Sequence, residues 1–331
     1  MLSKRFINDG RPTYKLNRLQ KKEVDIVKDK ISNGKYKFIK ASCPICNESD
    51  KFQLISEKDR YGFLYPLVIC ETCGLVQANP RLRSEDYSDF YEKGHQKRIY
   101  VGKERPEQDY FQSQYKRGQK IYSFVKDRFR HKKNISVLEV GCGAGGILKI
   151  FEEKGHYVKG IDLNEEYLDY GRNQYRLNLT NQNLFQIENE EYDLIIYSHV
   201  LEHLSEPSEH LQFVKKLLSK DGLLYIEVPG IKRSFQIYFD ILRYLQNAHI
   251  YNFSYQTLSN LMAKNDYVIV NEKNEEIESL WKVSHNPSFK IKSDFEDCIS
   301  YLKKNNSLLF RIIHYIRRKT KVLKKLLIGQ K

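Results

Sequence analysis

Four of the six cysteines are spaced for metal binding. They form two Cys-x-x-Cys pairs, Cys43 with Cys46 and Cys70 with Cys73. Each pair can place two thiolates on a tight turn, and four thiolates make the tetrahedral site that suits Zn²⁺. The N-terminus lacks the apolar core of a signal peptide, so this pattern favours a metal over disulfides. Because the protein fills all four positions, we expect a structural zinc that stabilises a small module at residues 42–80.

A glycine-rich turn follows the short apolar run of residues 137–140. Gly141, Gly143, Gly145 and Gly146 fall within six positions, and a helical pattern comes after them. A turn of this kind lets a ligand approach bare backbone, and the helix N-terminus offers free N–H groups. The sequence therefore predicts a nucleotide-containing ligand held between a strand and a helix.

Two ligands compete for this glycine loop. The glycine spacing matches the dinucleotide fingerprint, and Asp162 lies where a ribose-binding acid is expected. S-adenosyl-L-methionine (SAM) is the alternative, because its binding fold also pairs a glycine loop with an acid after the second strand. Glu139 favours SAM: an acid two residues before Gly141 can interact with the cationic methionine end but would be poorly placed beside a pyrophosphate.

The elements that must position these residues alternate between strand and helix. Apolar runs predict strands at Ser136–Val140, Tyr157–Ile161, Leu184–Ile187, Asp193–Tyr197 and Leu223–Val228. The third of these runs is the weakest. Such alternation is typical of a mostly parallel sheet with helices on both faces, and ligands bind at the carboxyl ends of its strands.

Three stretches together resemble class I SAM-dependent methyltransferases. They are VLEVGCGAGG, the GIDLNEEYL that contains Asp162, and YDLIIYSHVLEHL, within a resemblance that covers about residues 110–275. The preceding CPIC…CETCGLVQANPR and DYSDFYEKG resemble the zinc-binding leader of methyltransferases from sugar and surface-polysaccharide pathways, including sugar C-methyltransferases. The resemblance implies an α/β fold, with a Rossmann-like, mostly parallel seven-stranded sheet, a small N-terminal zinc ribbon and a helical C-terminal tail.

Charge, cysteine spacing and apolar periodicity predict a division of the chain into five parts. They are a basic lead-in (1–41), a zinc-binding module (42–80), a helical aromatic-rich connector or lid (81–133), a SAM-binding methyltransferase domain (134–285) and a basic amphipathic helical tail (286–331). The connector immediately precedes the first strand of the SAM-binding domain. We therefore expect some of its aromatic side chains to cover the glycine loop.

Roles for single residues follow from the same resemblance. The set that would bind SAM is Glu139, Gly141, Cys142, Gly143, Asp162, Leu163, Ser198 and His199. Glu139, Gly141 and Gly143 would frame the methionine part. Asp162 would accept hydrogen bonds from the ribose hydroxyls, and Leu163 would lie next to the adenine. Ser198 and His199 would lie near the sulfonium. The acid often found after strand three is missing, since Gln182, Asn183 and Leu184 occupy that area.

Methyl transfer needs an aligned donor and acceptor and, for a hydroxyl or carbon acid, a base that removes a proton. His249, in a loop that resembles one placed over the active site, is our first candidate, with help from Tyr251. His199 and Glu227 are the other catalytic candidates. His199 and His203 lie four residues apart, so a helix would place them on one face, and packing is the simpler role for His203.

The formal net charge of +14 is concentrated at the two ends of the chain. Residues 1–41 carry a net charge of +8 and residues 301–331 carry +10, whereas the middle carries −4. Ser307 to Ile328 has the pattern of a basic amphipathic helix, which predicts contact with an anionic membrane surface. The alternative is a helix that docks on the domain or on a partner protein. We expect a cytoplasmic protein, peripheral on the inner membrane face if the tail binds lipid.

Three functions are compatible with these features. The first is methyl transfer from SAM to a sugar, by O- or C-methylation of a nucleotide-linked or lipid-linked precursor of a surface glycan. The second is a zinc-ribbon RNA methyltransferase, whose basic ends would grip phosphates and make RNA binding salt-sensitive. The third is a non-catalytic scaffold that retains the SAM fold, against which the intact Glu139 and Asp162 argue.

Overall fold

The computed structural model describes residues 1–104, 107–233, 238, 240–273, 277–284, 289–313, 315–317 and 320. Its strands, in chain order, are β1 (Phe38–Ile39), β2 (Phe52–Lys58), β3 (Leu64–Cys70), β4 (Val76–Ala78), β5 (Arg81–Leu82), β6 (Ser136–Val140), β7 (Tyr157–Asp162), β8 (Leu179–Asn181), β9 (Tyr192–Ser198), β10 (Leu218–Glu227), β11 (Tyr251–Asn252), β12 (Tyr267–Lys273) and β13 (Glu278–Val283).

The helices that the described ranges contain in full lie between and before these strands. They are α1 (Arg18–Ser32), α2 (Ser84–Glu92), α3 (His95–Val101), α4 (Glu107–Val125), α5 (Gly146–Glu153), α6 (Glu165–Tyr175), α7 (Pro207–Leu217), α8 (Ile241–Tyr244), α9 (Tyr255–Lys264) and α10 (Phe295–Asn306). Short 3₁₀ turns fall at Lys4–Phe6, Lys126–Phe129, Leu184–Gln186 and Leu201–His203.

A seven-stranded sheet forms the centre of the molecule, in the order β12-β13-β10-β9-β6-β7-β8. The five strands from β10 to β8 are parallel, and β13 pairs antiparallel with both β10 and β12. Strand β9 lies at the middle, and its Leu194, Ile195 and Ile196 are fully buried. This continuous apolar run is what a parallel strand covered on both faces requires. The predicted α/β fold with a mostly parallel sheet is therefore confirmed.

The third parallel strand lies earlier in the chain than the sequence pattern predicted. The expected strand at Leu184–Ile187 is wrong, because Leu184–Gln186 forms a 3₁₀ turn capped by Asn183. Strand β8 instead covers Leu179–Asn181 and pairs with β7 at the sheet edge. Its three residues include one buried apolar side chain, Leu179, so it carries little of the periodicity that reveals a strand.

The cysteine-containing region forms a second sheet of four strands, in the order β11-β4-β3-β2. Strands β2, β3 and β4 are consecutive and antiparallel. The edge strand β11 comes from the loop that follows the central sheet's β10 and pairs antiparallel with β4. The two sheets are thus joined by backbone hydrogen bonds as well as by the chain between them.

Helix α4 packs closely on α5, directly above the glycine loop. A Cβ atom on Gly146 would lie 2.5 Å from the carbonyl oxygen of Phe111, and one on Gly118 would lie 2.8 Å from the Cα of Ile147. Both distances are too short for any side chain, so glycine at these two positions permits the helices to touch. This contact brings the aromatic-rich connector over the carboxyl ends of the strands.

The C-terminal end leaves apolar side chains exposed. Helix α10 buries Cys298, Ile299 and Leu302, whereas the described residues from Leu308 to Ile316 include several exposed apolar side chains. The rest of the predicted helix over Ser307–Ile328 lies largely outside the described residues. No helix in the ranges that the structure describes is both long and apolar enough to cross a membrane.

Candidate active site

The glycine loop turns back at the end of β6 through two glycines with positive φ. Gly141 has a φ of 71° and Gly143 a φ of 53°, a conformation that side chains disfavour. The backbone N–H of Gly143 donates to Oδ2 of Asp162 at 2.8 Å, and the N–H of Asn164 donates to Oδ1 at 2.8 Å. The carboxylate predicted to bind ribose is therefore held beside the loop, with lone pairs remaining on both oxygens.

Glu139 lies within β6, two residues before the loop, and is almost completely buried. Its Oε2 has no hydrogen-bond partner in the part of the chain that the structure describes. Burial, and then the charge of Asp162, raise the pKa of this carboxyl well above its ordinary value. A buried, unpartnered carboxylate is costly without a cation. The residues present therefore fit the ammonium group of an amino-acid ligand.

The other predicted SAM-binding residues occupy different positions around the loop. The Cys142 side chain is buried against Gly160, so only its backbone faces the loop. Leu163 lines the large cavity beside the loop and is partly exposed. Ser198, at the end of β9, donates through its hydroxyl to Glu227 at 3.0 Å.

A cavity of about 790 Å³ lies at the carboxyl ends of β6, β7, β9 and β10. Its floor includes Gly141 and Asp162, and the connector helices α2, α3 and α4 form its roof. Tyr110 of α4 reaches the loop so closely that a Cβ on Gly143 would lie 2.6 Å from its ring. A volume of this size is typical of small-molecule sites.

Two cations from the connector enter this cavity, and the motifs gave no sign of either. The ammonium of Lys97 lies 3.5 Å from the ring centroid of Tyr167 and has no hydrogen-bond partner among the described residues. Burial lowers its pKa, against the opposing charge of Asp162. Arg117 approaches Glu227 at 3.2 Å. The sequence signal for both was only their place in the aromatic-rich stretch before β6.

His199 leaves β9 with a φ of 57°, so the HVLEH segment does not begin as a helix. Only Leu201–His203 forms a 3₁₀ turn, and the expected helical face shared by His199 and His203 is wrong. Strand β9 ends at Ser198, where the chain must turn sharply to run over the cavity. Positive φ in a non-glycine residue is a strained conformation that is common at functional sites.

The imidazole of His199 lies between two carboxylates. Its Nδ1 is 3.2 Å from Oε1 of Glu202, and its Nε2 is 3.7 Å from Oε1 of Glu227. Burial acts to lower the pKa of His199, but the two neighbouring carboxylates raise it overall. Burial likewise acts to raise the pKa of Glu227, yet His199 and Arg117 lower it to about 2. This arrangement favours an imidazolium at neutral pH.

His203 and His249 face each other with ring centroids 4.9 Å apart, and both line the cavity. Together with Glu202 they bring one potential ligand atom each to within 4.8 Å of one another. Much of the hydrogen-bonding capacity of these two rings is already used. Nδ1 of His203 bonds the carbonyl of Ala248, and the Gln246 carboxamide contacts Nε2 of His249.

Tyr251, predicted to assist catalysis, is buried in β11 and is not among the residues that line the cavity. Its hydroxyl accepts from Arg81 at 2.5 Å and donates to the carbonyl of Ser205 at 3.2 Å. Arg81 also pairs with Glu206 at 3.0 Å. These contacts attach the loop after the 3₁₀ turn to the cysteine-containing sheet.

The four cysteines of the two Cys-x-x-Cys pairs converge at one end of the four-stranded sheet. The Sγ atoms of Cys43 and Cys73 are 3.4 Å apart, as are those of Cys46 and Cys70. All four sulfurs lie within 4.8 Å of one another. A tetrahedral zinc with Zn–S bonds of about 2.3 Å requires sulfur separations of about 3.8 Å. The donor set therefore fits a Cys₄ zinc site.

Comparison with known sequences agrees with this geometry. A family described as "Methyltransferase domain" matches residues 112–272, which span the glycine loop, Asp162 and the cavity's histidines. Class I SAM-dependent methyltransferases are thus the enzymes that this part of the chain resembles, and the match supports the predicted methyltransferase domain.

Individual relatives are more distant. The chain is 30% identical over 132 residues to a ubiquinone biosynthesis O-methyltransferase of Glaesserella parasuis, covering 36% of this chain and 55% of that protein. It is 32% identical over 114 residues to the enzyme of the same name from Actinobacillus pleuropneumoniae, covering 31% of this chain and 48% of that protein. The chain therefore spans about half the length of the curated relatives it matches.

Solved structures give weaker similarity. A SAM-dependent methyltransferase from Clostridium acetobutylicum aligns with a TM-score of 0.39 and 13% identity, covering 49% of this chain and 90% of that one. Magnesium protoporphyrin IX methyltransferase from Synechocystis, with bound SAH, aligns with a TM-score of 0.41 and 15% identity. The alignment covers 50% of this chain and 81% of that one.

Proposed function

We propose that this protein transfers a methyl group from SAM to a sugar, with the acceptor bound in the cavity between the glycine loop and the His249 loop. The observation that carries the proposal is the buried carboxylate of Glu139, whose Oε2 has no hydrogen-bond partner among the described residues and which lies directly before a glycine loop that is tied to Asp162. These are the two anionic contacts that the amino-acid and ribose parts of SAM need.

Each of the chain's own residues would then have a defined task. Glu139 would bind the ammonium of the methionine part, and Asp162 would accept hydrogen bonds from the ribose. The connector would cover the site, with Tyr110 against Gly143, and exclude water from it. When bound, SAM supplies an electrophilic methyl group, so the protein needs to orient the acceptor and remove its proton.

A sugar is the acceptor that we favour because one side of the cavity is strongly polar. We call this side, which the residues below define, the acceptor side. His199, His203, Glu202, Glu227 and Gln246 all line it. Such groups can satisfy several hydroxyls at once, which a polyhydroxylated substrate requires. The resemblance of the cysteine-containing leader to that of sugar methyltransferases supports the same choice.

A phenolic acceptor is the second candidate, because both curated relatives named above are ubiquinone biosynthesis O-methyltransferases. Radioactive methyl transfer from SAM should be measured with two panels, one of nucleotide-linked sugars and one of dihydroxylated aromatic acids. Transfer to the sugar panel supports our proposal. Transfer confined to the aromatic panel would replace the sugar with a phenol, and transfer to neither would contradict both.

We further propose that the Cys₄ site holds a structural zinc. Four protein thiolates leave no open position for a substrate, so the metal would act by stabilising the module. That module contacts the acceptor side directly: Arg60, which follows β2, donates to Oε1 of Gln246 at 2.8 Å, and Tyr65 donates to the carbonyl of His249. Zinc would thereby hold the wall of the acceptor cavity in place.

The C-terminal tail is the part that we propose to bind an anionic membrane surface. Leu308 and Leu309 are 68% and 65% exposed, and the residues beyond them are strongly basic. Deletion of residues 308–331 leaves α10 intact and should abolish pelleting with vesicles that contain phosphatidylglycerol. Equal pelleting of the truncated and full-length chains would contradict the membrane proposal. It would not bear on the proposal of methyl transfer.

A further inference from the structure

Of the four histidines that line the cavity, three lie around Glu202 on the acceptor side, and their surroundings give them different chemical capacities. His199, His203 and His249 all lie near Glu202, whose Oε1 is 3.2 Å from Nδ1 of His199, 3.7 Å from Nε2 of His203 and 4.0 Å from Nε2 of His249. A proton acceptor needs an available nitrogen lone pair that faces the substrate. The hydrogen bonds of each ring determine which of the three has one.

His203 has a tautomer that its partners define. Its Nδ1 lies 2.7 Å from the backbone carbonyl of Ala248, and a carbonyl can only accept, so Nδ1 must carry a proton. The hydroxyl of Tyr91 lies 2.8 Å from the same nitrogen and 3.2 Å from the same carbonyl, which it can use as acceptor. In the neutral ring, Nε2 therefore holds the lone pair.

The lone pair of His203 is also the accessible one. Among the described residues, the hydrogen bonds of this ring are made through Nδ1, and the side chain is 18% exposed to the cavity. An oxygen of Glu202 lies 3.7 Å from Nε2, too far for a hydrogen bond but close enough to stabilise an imidazolium. The other oxygen of Glu202 is buried without a partner in the described part of the chain.

His249 has its lone pair engaged. Arg60 donates to Oε1 of Gln246 at 2.8 Å, which fixes the carboxamide so that its nitrogen points at Nε2 of His249. An amide nitrogen can only donate, so Nε2 of His249 acts as the acceptor and is not free for a substrate proton. Burial, together with the charges of His203 and Arg60, also lowers the pKa of His249 well below its ordinary value.

His199 lies between two acids. Its Nδ1 is 3.2 Å from an oxygen of Glu202 and its Nε2 is 3.7 Å from an oxygen of Glu227, which Arg117 also approaches at 3.2 Å. The two carboxylates raise the pKa of His199 and favour the protonated ring. An imidazolium carries a proton on both nitrogens and has no lone pair to offer an acceptor.

We propose that His203, and not His249, is the residue that removes the proton from the acceptor, with Glu202 as the positioning residue that stabilises its imidazolium. This inference rests on the proposed methyl transfer. The acceptor O–H or C–H bond breaks and its proton goes to Nε2 of His203. The freed electron pair forms the bond to the methyl carbon, whose bond to the donor sulfur breaks with its electrons left on that sulfur.

The tautomers can be tested without knowing the acceptor. Imidazole ¹⁵N spectra of the full, zinc-loaded chain with S-adenosylhomocysteine, assigned with His203→Gln and His249→Gln, should show that the neutral tautomer of His203 carries its proton on Nδ1 and its lone pair on Nε2. The groups facing His203 are Tyr91 from α2, Glu202 from its own turn, and His249. A protonated Nε2 with a bare Nδ1 on His203 would overturn the proposal.

Kinetics with an acceptor from the methylation panels provide the second test. We expect His203→Gln to lower kcat by about 10²–10⁴-fold, with KM and the Kd for SAM little changed. Glu202→Gln should lower kcat with the same pattern, and Glu202→Asp should restore part of it.

The outcomes separate this inference from the proposed function. If His249→Gln abolishes transfer while His203→Gln retains it within tenfold, His249 is the base and the inference is wrong. If the unmodified chain methylates no acceptor in either panel, the proposed function fails, whereas the ring spectra still decide whether His203 presents a free Nε2.

Discussion

The buried carboxylate of Asp59 accepts a hydrogen bond from the backbone N–H of Asn247 at 3.0 Å, across 188 residues of sequence. Its other oxygen accepts from the N–H groups of Tyr61 and Phe63 at 2.8 and 2.9 Å. One side chain of the cysteine-containing module thus shapes both its own turn and the loop that carries His249. The module therefore supports the loop whose Gln246 and His249 line the cavity.

Replacing Asp59 should therefore destabilise the junction of the two sheets. Asp59→Ala leaves three buried N–H groups without an acceptor, and each such loss costs about 1–3 kcal/mol. We expect the free energy of unfolding, measured with urea, to fall by at least about 2 kcal/mol. Asp50→Ala, at an exposed carboxylate of the same module, is the matched control and should change it by no more than about 0.5 kcal/mol. Equal effects of the two variants would contradict this role.

Loss of the metal should disrupt the module more than loss of an ordinary buried cysteine. Cys70→Ala should lower the bound zinc per chain from one to near zero and lower the melting temperature by about 5–10 °C. Cys298 is fully buried in α10, far along the chain from the cluster, and Cys298→Ala should keep the zinc. Zinc retained by Cys70→Ala would show that the four thiolates are not its site.

The carboxylate of Glu139 should discriminate between the two ends of the cofactor. Glu139→Gln should weaken binding of SAM and of S-adenosylhomocysteine by about 10–100-fold, since a charge-assisted hydrogen bond contributes about 1.5–3 kcal/mol. Methylthioadenosine lacks the amino-acid part, so its affinity should be nearly unchanged. Asp162→Ala is the control, because it removes the contact to the ribose that all three ligands share. Calorimetry should show weaker binding of SAM, S-adenosylhomocysteine and methylthioadenosine to this variant. If Glu139→Gln weakened the binding of methylthioadenosine as much as that of SAM, the carboxylate would not contact the amino-acid part of the cofactor.

The pair formed by His199 and Glu227 should make stability depend on pH. The pKa of His199 is raised in the folded protein, so its contribution is fully present below the ordinary histidine pKa of about 6.5 and is lost as pH rises through the raised value. The stability lost in Glu227→Gln should therefore be larger at pH 6 than at pH 9. Urea unfolding at both pH values measures it, with Glu191→Gln at an exposed position as control. A loss independent of pH would argue against an imidazolium at His199.

The sequence predicts those parts of the fold whose signals are local. The apolar run of β9 and the glycines after Val140 define their own conformations, and the Cys-x-x-Cys spacing identifies a donor set without any knowledge of the rest of the chain. Strand β8 was misplaced because three residues with one buried side chain leave too weak a periodicity. Local patterns thus suffice for the SAM-side loop and for the Cys₄ cluster.

The acceptor side depends on contacts between distant segments and is therefore hidden from local patterns. Strand β11 exists because β4, from the module, pairs with it. The difference between His203 and His249 follows from the Ala248 carbonyl and from the Gln246 side chain that Arg60 orients. None of these contacts produces a residue spacing that can be recognised in the sequence. His249 was preferred at the sequence level because of its loop, whereas hydrogen-bond geometry favours His203.

The central claim, that the glycine loop between Glu139 and Asp162 binds SAM, is tested most directly by isothermal calorimetry with SAM on the full, zinc-loaded chain. We predict one saturable site per chain that Glu139→Gln weakens. An absence of binding by both SAM and S-adenosylhomocysteine, with the chain folded and the zinc retained, would contradict the account.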